Sequence, residues 1–332
     1  MDLLRGVRGM AGLLVIAGGL AAAQCALAQA GGTPKNAEEV FDFGPPLRRN
    51  VVIAYKYTER VRVVAETNGH PLDSSERTLS YFITERQVPG EKKGLTTIEA
   101  NVDSMHIEYS DGKKTLKFNT QDFKPSDQLL VKHNEIFVPT VLVNQMVSFT
   151  LSPYGEVMKV ESPGLDNAMK QASSPEVPVF LRERLRASTT DEFLASVMLP
   201  WRSVVPLWRK VPYGKNITMK SSAVLDRVSF RNSSTVQMAK SPDGEPLLRF
   251  SAELANPLNK LVTMSSFDDP LTLRSAGGKI NGELKLDQDG VVRSGWSIAT
   301  GTVVGVGGAE ITNRVTHEIY VEALGEFAFT SN

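Results

Sequence analysis

Residues 51–66 read VVIAYKYTERVRVVAE, and this stretch decides the fold class. Val51, Ile53, Tyr55, Tyr57, Val61 and Val63 fall on one side of a ribbon with a two-residue period, and Lys56, Thr58, Arg60, Arg62 and Glu66 fall on the other. Side chains of an extended strand point alternately to opposite faces, so the pattern predicts a half-buried β-strand. Glu59 is the one misfit, a carboxylate on the apolar side. At about 3.3 Å per residue the strand spans roughly 50 Å, well beyond the usual length of about 5–6 residues. A strand that long bends or coils.

Outward from this strand, turn dipeptides recur. Asn68-Gly69, Asp111-Gly112, Asp243-Gly244, Asn281-Gly282 and Asp289-Gly290 tolerate the positive φ of tight hairpins. Pro89-Gly90 and Tyr154-Gly155 add to them, whereas Asn281-Gly282 sits inside an alternating run and is not expected to turn. Between these points lie strand-like segments near residues 76–88, 94–109, 114–121, 141–151 and 156–161. The style resumes near 216–231, 233–241, 245–255, 259–267, 280–287, 291–304 and 309–323. The expected fold is mainly β, with two antiparallel, curved β-sheet halves joined by a short helical connector.

The connector is residues 164–200, between a first β half at 50–163 and a second at 201–332. Thr190 precedes Asp191 and Glu192, and Phe193, Leu194, Val197 and Met198 recur at helical intervals, so a capped helix starts there. Phe180, Leu181 and Leu185 suggest a shorter helix starting at Pro178. Residues 29–49, punctured by Gly31, Gly32, Pro34, Gly44, Pro45 and Pro46, read as a flexible lead-in and a poor candidate for core.

The first 28 residues have the layout of a secretory signal peptide. Arg5 and Arg8 precede the apolar run Met10–Ala23, MAGLLVIAGGLAAA, and Ala26-Leu27-Ala28 supplies an A-x-A cleavage signal. The run is shorter than the about 20 apolar residues of a spanning helix, and Gly12, Gly18 and Gly19 interrupt it. The expectation is a periplasmic or secreted product cleaved after Ala28, with no transmembrane segment in the mature chain. Cys25 is the only cysteine, and Gln24 before it departs from the small residue of a lipidation signal, which disfavours lipid anchoring at Cys25. Cleavage would discard it and leave a chain with no disulfide and no Cys-ligated metal.

Charge narrows the partners. The chain has 37 basic and 37 acidic residues; without residues 1–28, two arginines and one aspartate go, leaving 35 and 36. This balance gives no support for nucleic-acid binding. Catalytic and metal motifs are missing. His70, His106, His133 and His317 form no metal spacing, and His106 and Glu108 share a solvated strand face opposite Met105 and Ile107. There is no G-x-S-x-G elbow, and GTVVGVGG at 301–308 is neither a dinucleotide loop nor followed by a strand–helix unit. No cofactor is expected.

Five residues are candidate ligand-binding positions. Trp201, Trp208 and Tyr213 cluster at the exit of the connector, as an aromatic binding lip or as anchors of the connector on the sheets. Asn313 and His317 lie on the inward side of the last strand with Val315, Ile319 and Val321. Inward polar groups need partners, so they are either satisfied in the core or line a pocket.

The order of VVIAYKYTERVRVV, LTTIEANVDSMHIEYSDG, LSPYGEVMKVES, a short helical region and GKINGELKLDQDGVVRSGW resembles the uncharacterised exported β-rich families of bacteria. The shared features are hairpin turns, at Ser152–Val157 and Gly278–Gly290, within residues 50–325. The resemblance implies a fold style and a compartment and brings no catalytic residue. The expected function is a non-enzymatic envelope protein that binds or associates, in its sharper form a carrier of an apolar, lipid-like ligand. The alternatives are an envelope-acting hydrolase without a recognisable motif and a protein-interaction module that uses a sheet edge to bind an envelope protein.

Overall fold

The computed structural model of the protein describes residues 39–44, 51–89, 92–111, 113–122, 141–172, 182, 185–186, 189–262 and 271–328. Antiparallel strands dominate it. The opening stretch forms a strand, Val51–Thr67 (β2), preceded by the short β1 at Val40–Asp42. The first half continues with β3 (His70–Pro89), β4 (Thr96–Ser110), β5 (Thr115–Asn119), β6 (Met146–Leu151) and β7 (Val157–Glu161). Two helices with described bounds follow, α1 at Pro163–Ala172 and α2 at Asp191–Met198, then β8 at Lys210–Pro212. The second half contains β9 (Asn216–Leu225), β10 (Val228–Lys240), β11 (Pro246–Leu254), β12 (Leu261–Val262), β13 (Leu271–Leu286), β14 (Val292–Gly307) and β15 (Ala309–Ala328).

The halves are continuous. The first and last long strands pair with each other, Val51 opposite Ala328 and Thr67 opposite Ile311. One sheet of 13 strands therefore runs β7-β6-β4-β3-β2-β15-β14-β13-β11-β10-β9, with β5 on β4 and β12 on β13, while β1 and β8 form a separate two-stranded sheet. The sheet is not closed into a barrel, but its ends meet at one point. The β6–β7 turn approaches β9, where the Lys220 N–H donates to the Tyr154 carbonyl at 2.7 Å. Strands this long, carrying the usual twist, curl the sheet until its two edges converge.

The two faces differ as the alternation requires. On the outer face, Arg62 pairs with Glu76, Arg314 with Glu66, Lys117 with Glu108 and Arg249 with Glu283. A face of cross-strand ion pairs belongs in water. The inner face carries Ile53, Tyr55, Tyr57, Val61 and Val63 of β2, with Leu79, Tyr81 and Ile83 of β3. It is covered by the end of the connector and the segment after it, with Phe41, Phe43 and Val211 beside the small β1–β8 sheet: Leu194, Met198, Leu199, Trp201, Val204, Val205 and Leu207 belong to the same buried cluster. A second cluster joins Val61 and Val63 to Ala223, Leu225, Val228 and Phe230, where the β9–β10 hairpin folds over β14 and β15.

Several expectations meet specific outcomes. Asn68-Gly69 turns with φ of 50° and 78°, and Gly155, Gly244 and Gly290 also take left-handed φ. Asn281-Gly282 stays inside β13, and Thr190 caps α2, its side chain accepting from the Phe193 N–H at 3.3 Å. His106 is exposed, on the opposite face from buried Met105 and Ile107. The segment read as 216–231 is instead two strands, because Asp226 and Arg227, with φ of 43° and 66°, form a glycine-free hairpin turn. The lead-in is not uniform: β1 pairs with β8, and Phe41 and Phe43 are buried against it. The apolar positions of residues 39–44 are only Val40, Phe41 and Phe43, too few for a period to show. The signal peptide, Cys25 and the short helix start at Pro178 lie outside the described residues, though Leu185 is buried.

Candidate functional site

The inner face carries polar residues in fixed positions of its apolar rows. β2 contributes Glu59, β3 contributes Arg77 and Glu85, and β15 contributes Asn313 and His317. Each shares its strand parity with buried apolar neighbours, so each points inward. They form two groups, one on either side of Tyr57.

The first group is centred on Glu59. Arg77 Nη2 lies 2.5 Å from Glu59 Oε1, and His317 Nε2 lies 3.3 Å from the same oxygen, outside well-formed hydrogen-bond geometry. Burial opposes ionisation of Glu59, but the Arg77 and His317 side chains outweigh it and hold the carboxyl at about 2, against an ordinary 4.5. His317 Nδ1 is 2.9 Å from the Val224 carbonyl, which can only accept, so Nδ1 carries a proton. Asn313 donates to Asp226 at 2.7 Å, with both side chains buried. These two contacts hold the glycine-free turn of the β9–β10 hairpin against β15. A cavity of about 40 Å³ remains between Glu59, Arg77, His317, Arg227 and α2. It has room for water-sized occupants only.

The second group is Arg202 with Glu85, at 2.8 and 2.6 Å from Nε and Nη2. Tyr57 donates to the other Glu85 oxygen at 2.7 Å, and Arg202 donates to the Tyr55 hydroxyl at 3.2 Å. With the Gln87 amide turned to present its oxygen, that oxygen accepts from Arg202 at 2.7 Å. Burial pushes the Tyr55 and Tyr57 hydroxyls far above their ordinary range, so both stay neutral.

The aromatic candidates are distributed between inside and rim. Trp201 is buried and stacks on Tyr57, centroids 4.0 Å apart and planes at 18°. Trp208 is half-buried; its indole N–H donates to Thr96 at 2.7 Å, and its backbone N–H donates to Phe43. Tyr213 is also half-buried, edge-on to Phe41, with the Lys240 ammonium 5.2 Å from its ring centre. Trp208 and Tyr213 thus clamp β1, while Trp201 sits with the Arg202 group. Asn313 and His317 are brought together with Asp226 and Glu59.

Glu59 was detectable as the misfit in its strand. Arg77 and Glu85 share one period-2 row with 79, 81 and 83, so the alternation of β3 carries the signal that places them inward. Arg202 follows α2 in a short 3-10 turn, where no period exists to place it.

No protein-family model and no curated protein matches the chain, which is consistent with an uncharacterised β-rich family. Among solved structures, the chain is similar to lipovitellin, at 11% identity and a TM-score of 0.46, over 88% of this chain and 26% of that one. DynF from the dynemicin biosynthesis pathway of Micromonospora chersina aligns over 89% and 90% of the two chains, at 7% identity and a TM-score of 0.25. An outer membrane channel from Pseudomonas putida F1 aligns over 88% and 99%, at 7% identity and a TM-score of 0.28. Among the described residues no helix is long and apolar enough to cross a membrane.

Proposed function

We propose that the protein is an exported, non-enzymatic binding protein that carries an apolar, lipid-like ligand beneath a displaceable helical cover. One observation carries this reading: the apolar inner face of an unclosed sheet is covered by the connector, through α2 and Trp201–Leu207, where a sandwich would place a second sheet. The cover is tied to the sheet by the Arg202–Glu85 pair and the Trp201–Tyr57 stack, not by a strand ladder, so it can leave with every ladder intact once those contacts open. Its departure would bare Tyr55, Tyr57, Leu79, Ile83 and Ile98, a curved apolar surface of the kind that lines ligand cavities. The N-terminal signal layout supports a role in the envelope. The charged outer face supports an aqueous compartment for the carrier itself.

The test is native mass spectrometry of the purified protein, with solvent extraction, followed by titration with oleate and with a lysophospholipid. The expected result is a co-purifying apolar adduct and a change in Trp201 emission, since a ligand that displaces the cover separates this ring from Tyr57. Absence of any adduct, together with no response to either lipid, overturns the proposal.

A further inference from the structure

The sheet has an interruption on its second half. β10 pairs with β11 from Thr235 opposite Ser251 to Lys240 opposite Pro246, and Phe230 pairs again with Pro257. Between these points Arg231–Ser234 face Ala252–Asn256 without a ladder pair. Four residues opposite five leave the ladder open over this stretch. Asn232 lies at this opening. It is 6% exposed, and neither its amide nitrogen nor its amide oxygen has a hydrogen-bond partner among the described residues. Its neighbours Ser221 and Ser234 are spent on each other at 2.6 Å. Buried amides are normally paired, so a fully unpaired one in the wall of a cleft marks a place for an outside partner.

Two clefts meet at Asn232. One, of about 320 Å³, runs between β7, the start of α2 and β9; the other, of about 580 Å³, lies over β10, β11 and β13. Asn232, Ser233 and Asn256 line both. The first cleft is within the about 300–1,000 Å³ range of small-molecule sites. Its described charged lining is Lys159, Lys220 and Arg231 against Glu156, Asp191 and Glu192, three of each sign. Arg231 and Glu192 already pair at 3.2 Å. A balanced lining gives neither an anion nor a cation a net electrostatic advantage. What remains is a neutral ligand rich in groups that donate and accept at once. An Asn amide matches two adjacent hydroxyls, one donating to its oxygen and the other accepting from its nitrogen; a carboxylate edge can accept from two hydroxyls and a guanidinium edge can donate to two.

We infer that this cleft is a binding site for a neutral saccharide, with Asn232 as its buried anchor and Asn256 at its rim. The cleft shares the start of α2 with the proposed cover, and its test is kept separate by using saccharides and no apolar ligand. An extended peptide is the less suited occupant. The β9 edge it would pair with is already covered: Lys220 N–H by Tyr154, Ser222 N–H by the Ser203 hydroxyl at 3.4 Å, and the Val224 carbonyl by His317.

The test is ligand-observed saturation-transfer NMR on the purified full chain with maltotriose, cellotriose and chitotriose, with triglycine and inorganic phosphate as comparators. The expected result is transfer to ring protons of at least one saccharide, weakened at least tenfold in Asn232→Leu and severalfold in Asn256→Ala. The Asn232→Leu melting temperature should be unchanged or higher, because the variant removes an unpaired buried amide. Should that chain fail to fold, Asn256→Ala at an exposed position decides alone. Transfer to none of the saccharides, transfer insensitive to the folded variants, or binding confined to triglycine or phosphate overturns the inference.

Discussion

Arg202 and Glu85, 117 residues apart, form an ion pair in which both side chains are fully buried. Arg202 follows α2 and Glu85 is on β3, so this pair ties the connector to the sheet. Taking two charges out of water costs several kcal/mol per ion, which excellent geometry and extra hydrogen bonds from Tyr57 and Tyr55 offset. Removing one partner strands the other. Arg202→Met or Glu85→Leu alone should therefore lower unfolding free energy by about 3–5 kcal/mol, and the double variant by much less. Urea denaturation of the four chains measures this. Single variants that cost under about 1 kcal/mol would show that the pair is dispensable.

Glu59 predicts an acid limb of stability. Its folded pKa of about 2 lies below its ordinary 4.5. A depressed carboxylate contributes stability that is fully present above about 4.5 and is lost as pH falls toward 2. At about 1.4 kcal/mol per pH unit the contribution is on the order of 3 kcal/mol. Glu59→Gln should be less stable than the parent at pH 7 by about that amount, with Arg77 left facing an uncharged amide. The gap should narrow between pH 5 and pH 2, since the parent loses there what the variant never had. A gap that stays constant across that window contradicts the assignment.

These two clusters also show what was legible in the sequence. The alternation through Val51–Val63 dictates a strand with one buried face, and Glu59 stands out because it breaks that rule. Asn313 and His317 are inward for the same reason. Their partners are not local: Asp226 is 87 residues from Asn313, and pairing at that separation depends on sheet order. That order joins the chain's first and last long strands, a choice no period encodes. The Asp226-Arg227 turn lacked the glycine that announces Asn68-Gly69, because Asp tolerates the left-handed region and tertiary contacts hold the rest. Asn232 sat unnoticed in the row Phe230, Asn232, Ser234, Val236, Met238, where only the structure reveals the broken ladder beside it.

Two turn glycines with nearly equal φ should respond very differently to alanine. Gly69 has φ of 78° and open space where a Cβ would stand. Gly155 has φ of 77°, but its Cβ would lie 1.9 Å from the Ser203 carbonyl oxygen and 2.7 Å from that of Lys220. Gly69→Ala should cost only the left-handed conformation, about 1–2 kcal/mol. Gly155→Ala must also push the β6–β7 turn off β9, where backbone atoms cannot yield as a side chain would. Its cost should exceed that of Gly69→Ala by at least about 2 kcal/mol in denaturant titrations. Equal costs would mean that the two sheet ends do not meet at Tyr154 and Lys220.

The cap of α2 tests whether the cover moves separately from the sheet. Thr190 accepts from the Phe193 N–H, and its replacement by alanine typically costs about 1 kcal/mol. If the helix opens on its own, Thr190→Ala should speed hydrogen exchange of amides in Asp191–Met198 by about fivefold. Exchange in the paired cores of β2 and β3 should stay unchanged, since no ladder bond of theirs involves the cap. Mass-spectrometric exchange with peptide resolution reads both at once. Should the strands accelerate in step with α2, the connector would open only with global unfolding. Tyr57 and Trp201 would then be permanently stacked, and the carrier reading would lose the motion on which it depends.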